Sequence, residues 1–211
     1  MALDLAINST LFIHALVGVF VIVNPFGNVP LFISLTQKFT TQERKNSIVK
    51  SMVIATAILL VFALIGQTLF NLLNVTLDSL RIAGGLLLLA IAFDMLMGKS
   101  PASKIDPDEE RESVAVTPMA TPLLAGPGAM TTVMILMNEA SGPVQQGSIL
   151  VAILIAMAAA FAILINSELV YRFIRKDGAR VLTKIMGIVL ATIAVEMAID
   201  GLLHAFPVLG I

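Results

Sequence analysis

The 211-residue chain has no cysteine, only two histidines, and charge on only 13% of its residues. The missing cysteine removes disulfides, thiolate nucleophiles and zinc-thiolate sites together. His14 and His204 are too sparse for a metal site. There is no HExxH and no serine with a nearby histidine partner, so the chain is not expected to be an enzyme or to carry a cofactor or metal. A net charge of −1 gives no basic surface for nucleic acid. Soluble domains are about 25% charged and about 45–50% apolar. This chain is 58% hydrophobic, which excludes both that class and disorder.

What the sequence does have is long uncharged runs. No Asp, Glu, Lys or Arg occurs in residues 5–37, 51–77, 113–138 or 140–167. Each run exceeds the roughly 20 residues that a helix needs to cross a bilayer. Two further apolar segments, 80–98 and 183–205, each carry one internal acid, Asp94 and Glu196. The expected fold is therefore all-α, with six transmembrane helices near 8–38, 44–73, 79–98, 114–138, 147–172 and 183–205. A β-barrel would need alternation of period two, and MVIATAILLVFALIG has none. The start, MALDLAINST, lacks the basic n-region of a signal peptide, so the first segment is expected to be a mature helix.

Twelve of the thirteen Lys and Arg residues fall in three alternate connections, 38–50, 99–113 and 172–184; only Arg81 lies on the other side. By the positive-inside rule those connections are cytoplasmic and both termini lie outside. The expected location is the plasma (inner) membrane. Thr40-Thr41-Gln42-Glu43 is a capping-box sequence at the start of the second helix. Asp106-Pro107 has the form of a helix start within the 99–113 connection.

The chain also resembles itself. LRIAGGLLLLAIAFDML (80–96) matches LTKIMGIVLATIAVEMA (182–198) at an offset of 102, pairing Gly85 with Gly187 and Asp94 with Glu196. NPFGNVP (24–30) and TPLLAGP (121–127) share a Pro-x4-Pro frame at an offset of 97, so this pairing requires a five-residue indel. Each half has three helices, so the second is inverted relative to the first. The expected organisation is a first repeat over 1–98, a cytoplasmic linker over 99–113 and an inverted repeat over 114–211. Inverted repeats with interrupted helices mark secondary transporters.

Pro25 and Pro30, and Pro122 and Pro127 with Gly126 and Gly128, lie inside apolar runs. Proline lacks the N–H and clashes with the carbonyl four residues back, so helices one and four are expected to be interrupted. The segments after the breaks, near Gly27 and Gly128, would present N–H groups and positive helix ends; those before them would present carbonyls. A carboxylate suits the first and an ammonium the second. Asn24, Asn28 and Thr121 add uncharged polar groups. The expected ligand is a small neutral zwitterion.

Asp94 and Glu196 are candidates for coupling to H⁺ or Na⁺, or are interfacial. Gly84 and Gly85 suit close helix approach, and His14 a packed helix contact. Arg81 suits an interfacial anchor. A channel, an exporter of other small solutes and a non-transporting scaffold are the alternatives. A homo-oligomer is left open.

Together NPFGNVP (24–30), LRIAGGLLLLAIAF (80–93), TPLLAGPGA (121–129) and MGIVLATIAVEMAIDG (186–201) resemble the MarC family of integral membrane proteins. The resemblance implies six helices in an inverted three-plus-three repeat and transport of small neutral amino acids. It also implies binding at the two interrupted helices, through Asn24, Pro25, Gly27 and Pro30 and through Thr121, Pro122, Ala125, Gly126, Pro127 and Gly128.

Overall fold

Residues 2–36, 39–98 and 115–206 are described by the structure, a computed structural model. They form helices, with no strand among the described residues. In chain order these are α1 (Ala2–Val23), α2 (Pro25–Leu35), α3 (Thr41–Leu72), α4 (Leu77–Leu96), α5 (Ala115–Leu124), α6 (Pro127–Glu139), α7 (Pro143–Ile165) and α8 (Ser167–Ala205). The expected 99–113 linker, with its Asp106-Pro107 helix start, lies outside the described residues.

Among the described residues five stretches are long and apolar enough to cross a bilayer: Thr10–Val29, Thr41–Leu72, Asp78–Leu96, Pro143–Ile165 and Thr183–Ala205. The remaining expected span, 114–138, is divided into α5 and α6, of 10 and 13 residues. These rise about 15 and 20 Å at 1.5 Å per residue, each less than the ~30 Å hydrocarbon core. Val53, Leu64, Leu72 and Ile188 are all more than half exposed. So many exposed apolar side chains would aggregate in water and cost nothing against acyl chains.

Helix boundaries follow local chemistry. The Thr40 hydroxyl accepts the Glu43 N–H at 3.3 Å, and Glu43 Oε2 accepts the Thr40 N–H at 2.8 Å. This is the expected capping box, and it starts α3 at Thr41 rather than 44. Proline stands at the first position of α2, α6 and α7, where its missing N–H leaves no helical bond unmade. Two boundaries differ from expectation. The fifth span ends at Ile165, and the basic 172–184 segment is helical and continuous with α8. A helix satisfies its own backbone in water as well as in lipid, so leaving the membrane does not end it. α5 is wound with wide, π-type turns. Pro122 lies within it and removes the bond that its N–H would make to the Pro118 carbonyl. Ala125 N–H instead reaches back five residues to Ala120 O at 2.8 Å.

Among the described residues most buried apolar side chains fall into two separate clusters. The larger is built from α1, α2, α3, α5, α6 and α7, with Val19, Phe32, Leu59, Leu124 and Ile153 at its centre. The smaller joins α4 to α8 through Leu88, Ala92, Met95, Leu190 and Ala194. Glycines bring α4 and α8 together, as expected for Gly85. A Cβ on Gly85 would lie 2.6 Å from Ala194 O; one on Gly187 would lie 3.3 Å from Ala92 O.

Candidate functional site

The first interruption is a single residue. Asn24 adopts the left-handed conformation, φ 49° and ψ 58°, which asparagine tolerates better than other residues with a Cβ. Its own N–H still donates to Phe20 O at 3.1 Å, and its carbonyl accepts Asn28 N–H at 3.1 Å. Its side-chain Oδ1 accepts the Gly27 N–H at 3.1 Å, and Asn28 Nδ2 donates to Val23 O at 2.9 Å. Phe20 and Phe26 meet edge to face across the break, centroids 6.3 Å apart. The two asparagines thus cap the broken ends, and both side chains are at least 95% buried.

Two expectations change here. The helix is not opened by both prolines: α2 restarts at Pro25 and runs on through Pro30. The Gly27 N–H is not available to a ligand, because Asn24 Oδ1 holds it. Glycine is required at 27 for a local reason. A Cβ there would lie 2.3 Å from Asn24 Nδ2 and 2.7 Å from Oδ1.

The second interruption is wider and differently finished. Ala125 and Gly126 leave the helix, Gly126 in an extended conformation, and no side chain caps α6. Met130 N–H donates to Gly126 O at 3.0 Å. That leaves the N–H groups of Gly128 and Ala129 as the uncapped donors of the first turn, at the positive end of the helix. Thr131 and Thr132 bond back to the carbonyls of Pro127 and Gly128 at 2.8 and 2.9 Å, which spends their hydroxyls within α6.

Asn24, Asn28, Gly126, Pro127 and Gly128 line one narrow cavity between the two breaks. Leu88, Ile91 and Met95 of α4 and Leu190 of α8 close its far wall. It therefore lies at the boundary of the two apolar clusters. Its free volume for water centres is about 30 Å³, room for two or three waters at about 10–15 Å³ each. Among the described residues no ionisable side chain lines it. Leu88 packs over Gly128, where a Cβ would come within 2.4 Å of its Cδ1.

Of the other expected site residues, Pro25, Gly27, Thr121 and Ala125 lie at the breaks but do not line the cavity; the side chains of Pro30 and Pro122 lie outside the described residues. Asp94 is half-buried and Glu196 exposed. Neither reaches the cavity, and neither makes a hydrogen bond or ion pair among the described residues. His14 is exposed on α1, not packed as expected. Arg81 pairs with Asp78 at 3.1 Å. The cavity-lining leucines were not anticipated. Leu88 and Leu190 stand 102 residues apart, the spacing of the matched 80–96 and 182–198 segments, and that was their available signal.

A sequence profile of the MarC family integral membrane proteins matches residues 9–206. A UPF0056 membrane protein of Methanocaldococcus jannaschii is 40% identical over 195 residues, covering 90% of this chain and 95% of the relative. UPF0056 membrane protein YvbG of Bacillus subtilis is 34% identical, covering 93% and 96%. UPF0056 membrane protein YhcE of Escherichia coli is 32% identical, covering 90% and 91%. No solved structure matches the chain.

Proposed function

Because the chain belongs to the MarC family of integral membrane proteins, we propose that it is a secondary transporter of small neutral amino acids, bound at the cavity between the two helix breaks. The observation that carries this reading is the chemistry of the cavity wall: Gly128 and Ala129, at an uncapped helix N-terminus, line the same cavity as Asn24 and Asn28, with no ionisable side chain among its described lining residues. A carboxylate accepts from the α6 N–H groups. Asn24 and Asn28 supply neutral dipoles for the ammonium end. Leu88, Ile91 and Leu190 give the cavity an apolar wall that suits a small apolar side chain.

The same reading takes the chain as six spans in an inverted repeat. Helix contacts support this by coming in exchanged pairs: α1 with α7 and α3 with α5; α2 with α8 and α4 with α6; α2 with α7 and α3 with α6. Helix starts support it too. Pro25 and Pro127 open α2 and α6, and Thr41 and Pro143 open α3 and α7, each pair 102 residues apart. That spacing equals the one relating 80–96 to 182–198, so no indel is needed, and Pro25 pairs with Pro127 rather than Pro122. The cavity is too small for an amino acid as it stands. Alternating access then consists of the α4–α8 pair moving against the larger cluster, taking Leu88 and Leu190 off the breaks. The basic connections face the cytoplasm of a plasma membrane. Asp94 and Glu196 are the candidates for H⁺ or Na⁺ coupling. No chemical step or cofactor is assigned.

The test is reconstitution into liposomes with radiolabelled glycine, alanine, serine and threonine, with and without imposed H⁺ and Na⁺ gradients. Saturable uptake with counterflow is expected, and alaninamide should compete poorly with alanine. Flux without exchange would identify a channel. Equal competition by alaninamide would refute recognition of the carboxylate by α6.

A further inference from the structure

The seam between α3 and α7 carries a feature that the cavity does not use. Thr41, Lys45, Val49, Met52, Thr56 and Leu60 recur every three or four residues and share one face of α3. Leu154, Ala158, Phe161 and Ile165 do the same on α7. Two recesses run between these faces. One, of about 290 Å³, is polar and is lined by Thr41, Arg44, Lys45 and Glu168 among others. The other, of about 560 Å³, is an apolar groove running from Val49 to Leu60 on α3 and from Leu154 to Phe161 on α7. One helical turn separates Lys45 from Val49, and one separates Phe161 from Ile165. The polar recess therefore stands at the end of the groove.

The dimensions and charge select an occupant. Val49 to Leu60 is twelve residues, eleven rises of 1.5 Å, or about 16 Å of helix. That is half of the ~30 Å hydrocarbon core, the depth of one leaflet. A facing helix from a second copy would continue along the whole span and would have no use for a polar recess at one end. In the recess Arg44 is already held. Its Nε donates to Thr36 Oγ1 at 2.9 Å, its Nη2 donates to Thr36 O at 3.0 Å, and Nη1 pairs with Glu168. Lys45 is exposed and makes no ion pair among the described residues, so the recess carries a net positive charge. The one hydroxyl in the groove, on Thr56, is spent on Met52 O at 2.7 Å.

We propose that this seam binds an anionic glycerophospholipid of the leaflet adjoining residues 39–50. Its phosphate lies beside Lys45 and Thr41, and one acyl chain lies in the groove. Juxtamembrane basic pockets of this kind recognise anionic headgroups.

The experiment titrates delipidated protein in detergent with phosphatidylglycerol and with phosphatidylcholine of the same chains, counting bound lipid by native mass spectrometry. One phosphatidylglycerol per chain is expected, preferred over phosphatidylcholine. Lys45→Gln should lower that preference about fivefold, the contribution of one basic residue near the surface, and Lys45→Arg should keep it. Ala158→Phe fills the groove from an exposed position and should weaken both lipids about tenfold. Unchanged phosphatidylglycerol binding in Ala158→Phe would overturn the proposal, as would a dimer lost in that variant with lipid binding intact. None of these residues lines the cavity at the helix breaks, so either result leaves the transport reading standing.

Discussion

Asn24 should be the residue on which the first break depends, and a short series of substitutions separates its two contributions. It supplies a left-handed backbone at φ 49° and a side-chain cap on Gly27 N–H at 3.1 Å. Losing an N-cap costs about 1 kcal/mol. Forcing an ordinary Cβ into the left-handed region costs about 1–2 kcal/mol more. Asn24→Ala loses both and should destabilise by about 2–3 kcal/mol. Asn24→Gly loses the cap but is at ease in that conformation, so it should cost about 1 kcal/mol. Gly27→Ala tests the same contact from the other side. Its Cβ would lie 2.3 Å from Asn24 Nδ2, so it must evict the cap in the wild-type background. In the Asn24→Gly background nothing is evicted, and the change gains up to about 1 kcal/mol of helix propensity. Gly27→Ala should therefore change sign between the two backgrounds. The assay is equilibrium unfolding in mixed micelles, run as a double-mutant cycle. Equal stability of Asn24→Ala and Asn24→Gly, or an identical Gly27→Ala effect in both backgrounds, would refute the account of the break.

Three further outcomes are expected. Gly85→Ala should destabilise by about 1–3 kcal/mol through overpacking, because its Cβ meets backbone at Ala194 O; Gly147→Ala, with open space around it, should stabilise by up to about 1 kcal/mol in the same unfolding assay. Arg44→Ala should lower stability by about 2–3 kcal/mol, the scale of charged hydrogen bonds to Thr36, while Glu168→Gln should cost under about 1 kcal/mol because Glu168 is 54% exposed; the reverse order would show that the ion pair dominates. Asp94→Asn and Glu196→Gln should abolish gradient-driven uptake in liposomes while sparing exchange, and full driven uptake in both variants would remove the acids from coupling.

The membrane class, the helical content and both interruptions were legible because each has a strong one-dimensional signature: uncharged runs and prolines within them. The capping box at Thr40 was legible for the same reason. What the sequence did not disclose was how each break would be finished. Proline states that a helical bond is lost, but not which neighbour replaces it. At the first break the replacement comes from side chains three and five residues away, Asn24 on Gly27 and Asn28 on Val23. At the second, α5 is wide around Pro122, and the chain leaves the helix only at Ala125. The end of the fifth span was misplaced because hydropathy marks where apolar residues end, whereas a bend at Asn166 ended the helix sooner.

If the proposed inverted repeat holds, the register between the two halves turns on the same physics. Matching prolines to prolines pairs Pro25 with Pro122 and leaves five residues unexplained. Matching the positions where helices restart pairs Pro25 with Pro127, and the five residues vanish. The second criterion is the better one, because a proline has two distinct uses. At the first position of a helix it is nearly free, since no bond is lost there; inside a helix it removes a bond and widens or bends the turn. Pro25 and Pro127 are of the first kind, and Pro30 and Pro122 of the second. With the restarts aligned, the two half-helices differ in one decisive respect. α2 has its Gly27 N–H already satisfied by Asn24, and α6 has no side-chain cap at all. Two uncapped positive helix ends converging on a cavity of about 30 Å³ would repel each other in a medium with little water to screen them. Capping one with a neutral amide leaves a single positive end, which is what the proposed binding of a single carboxylate requires.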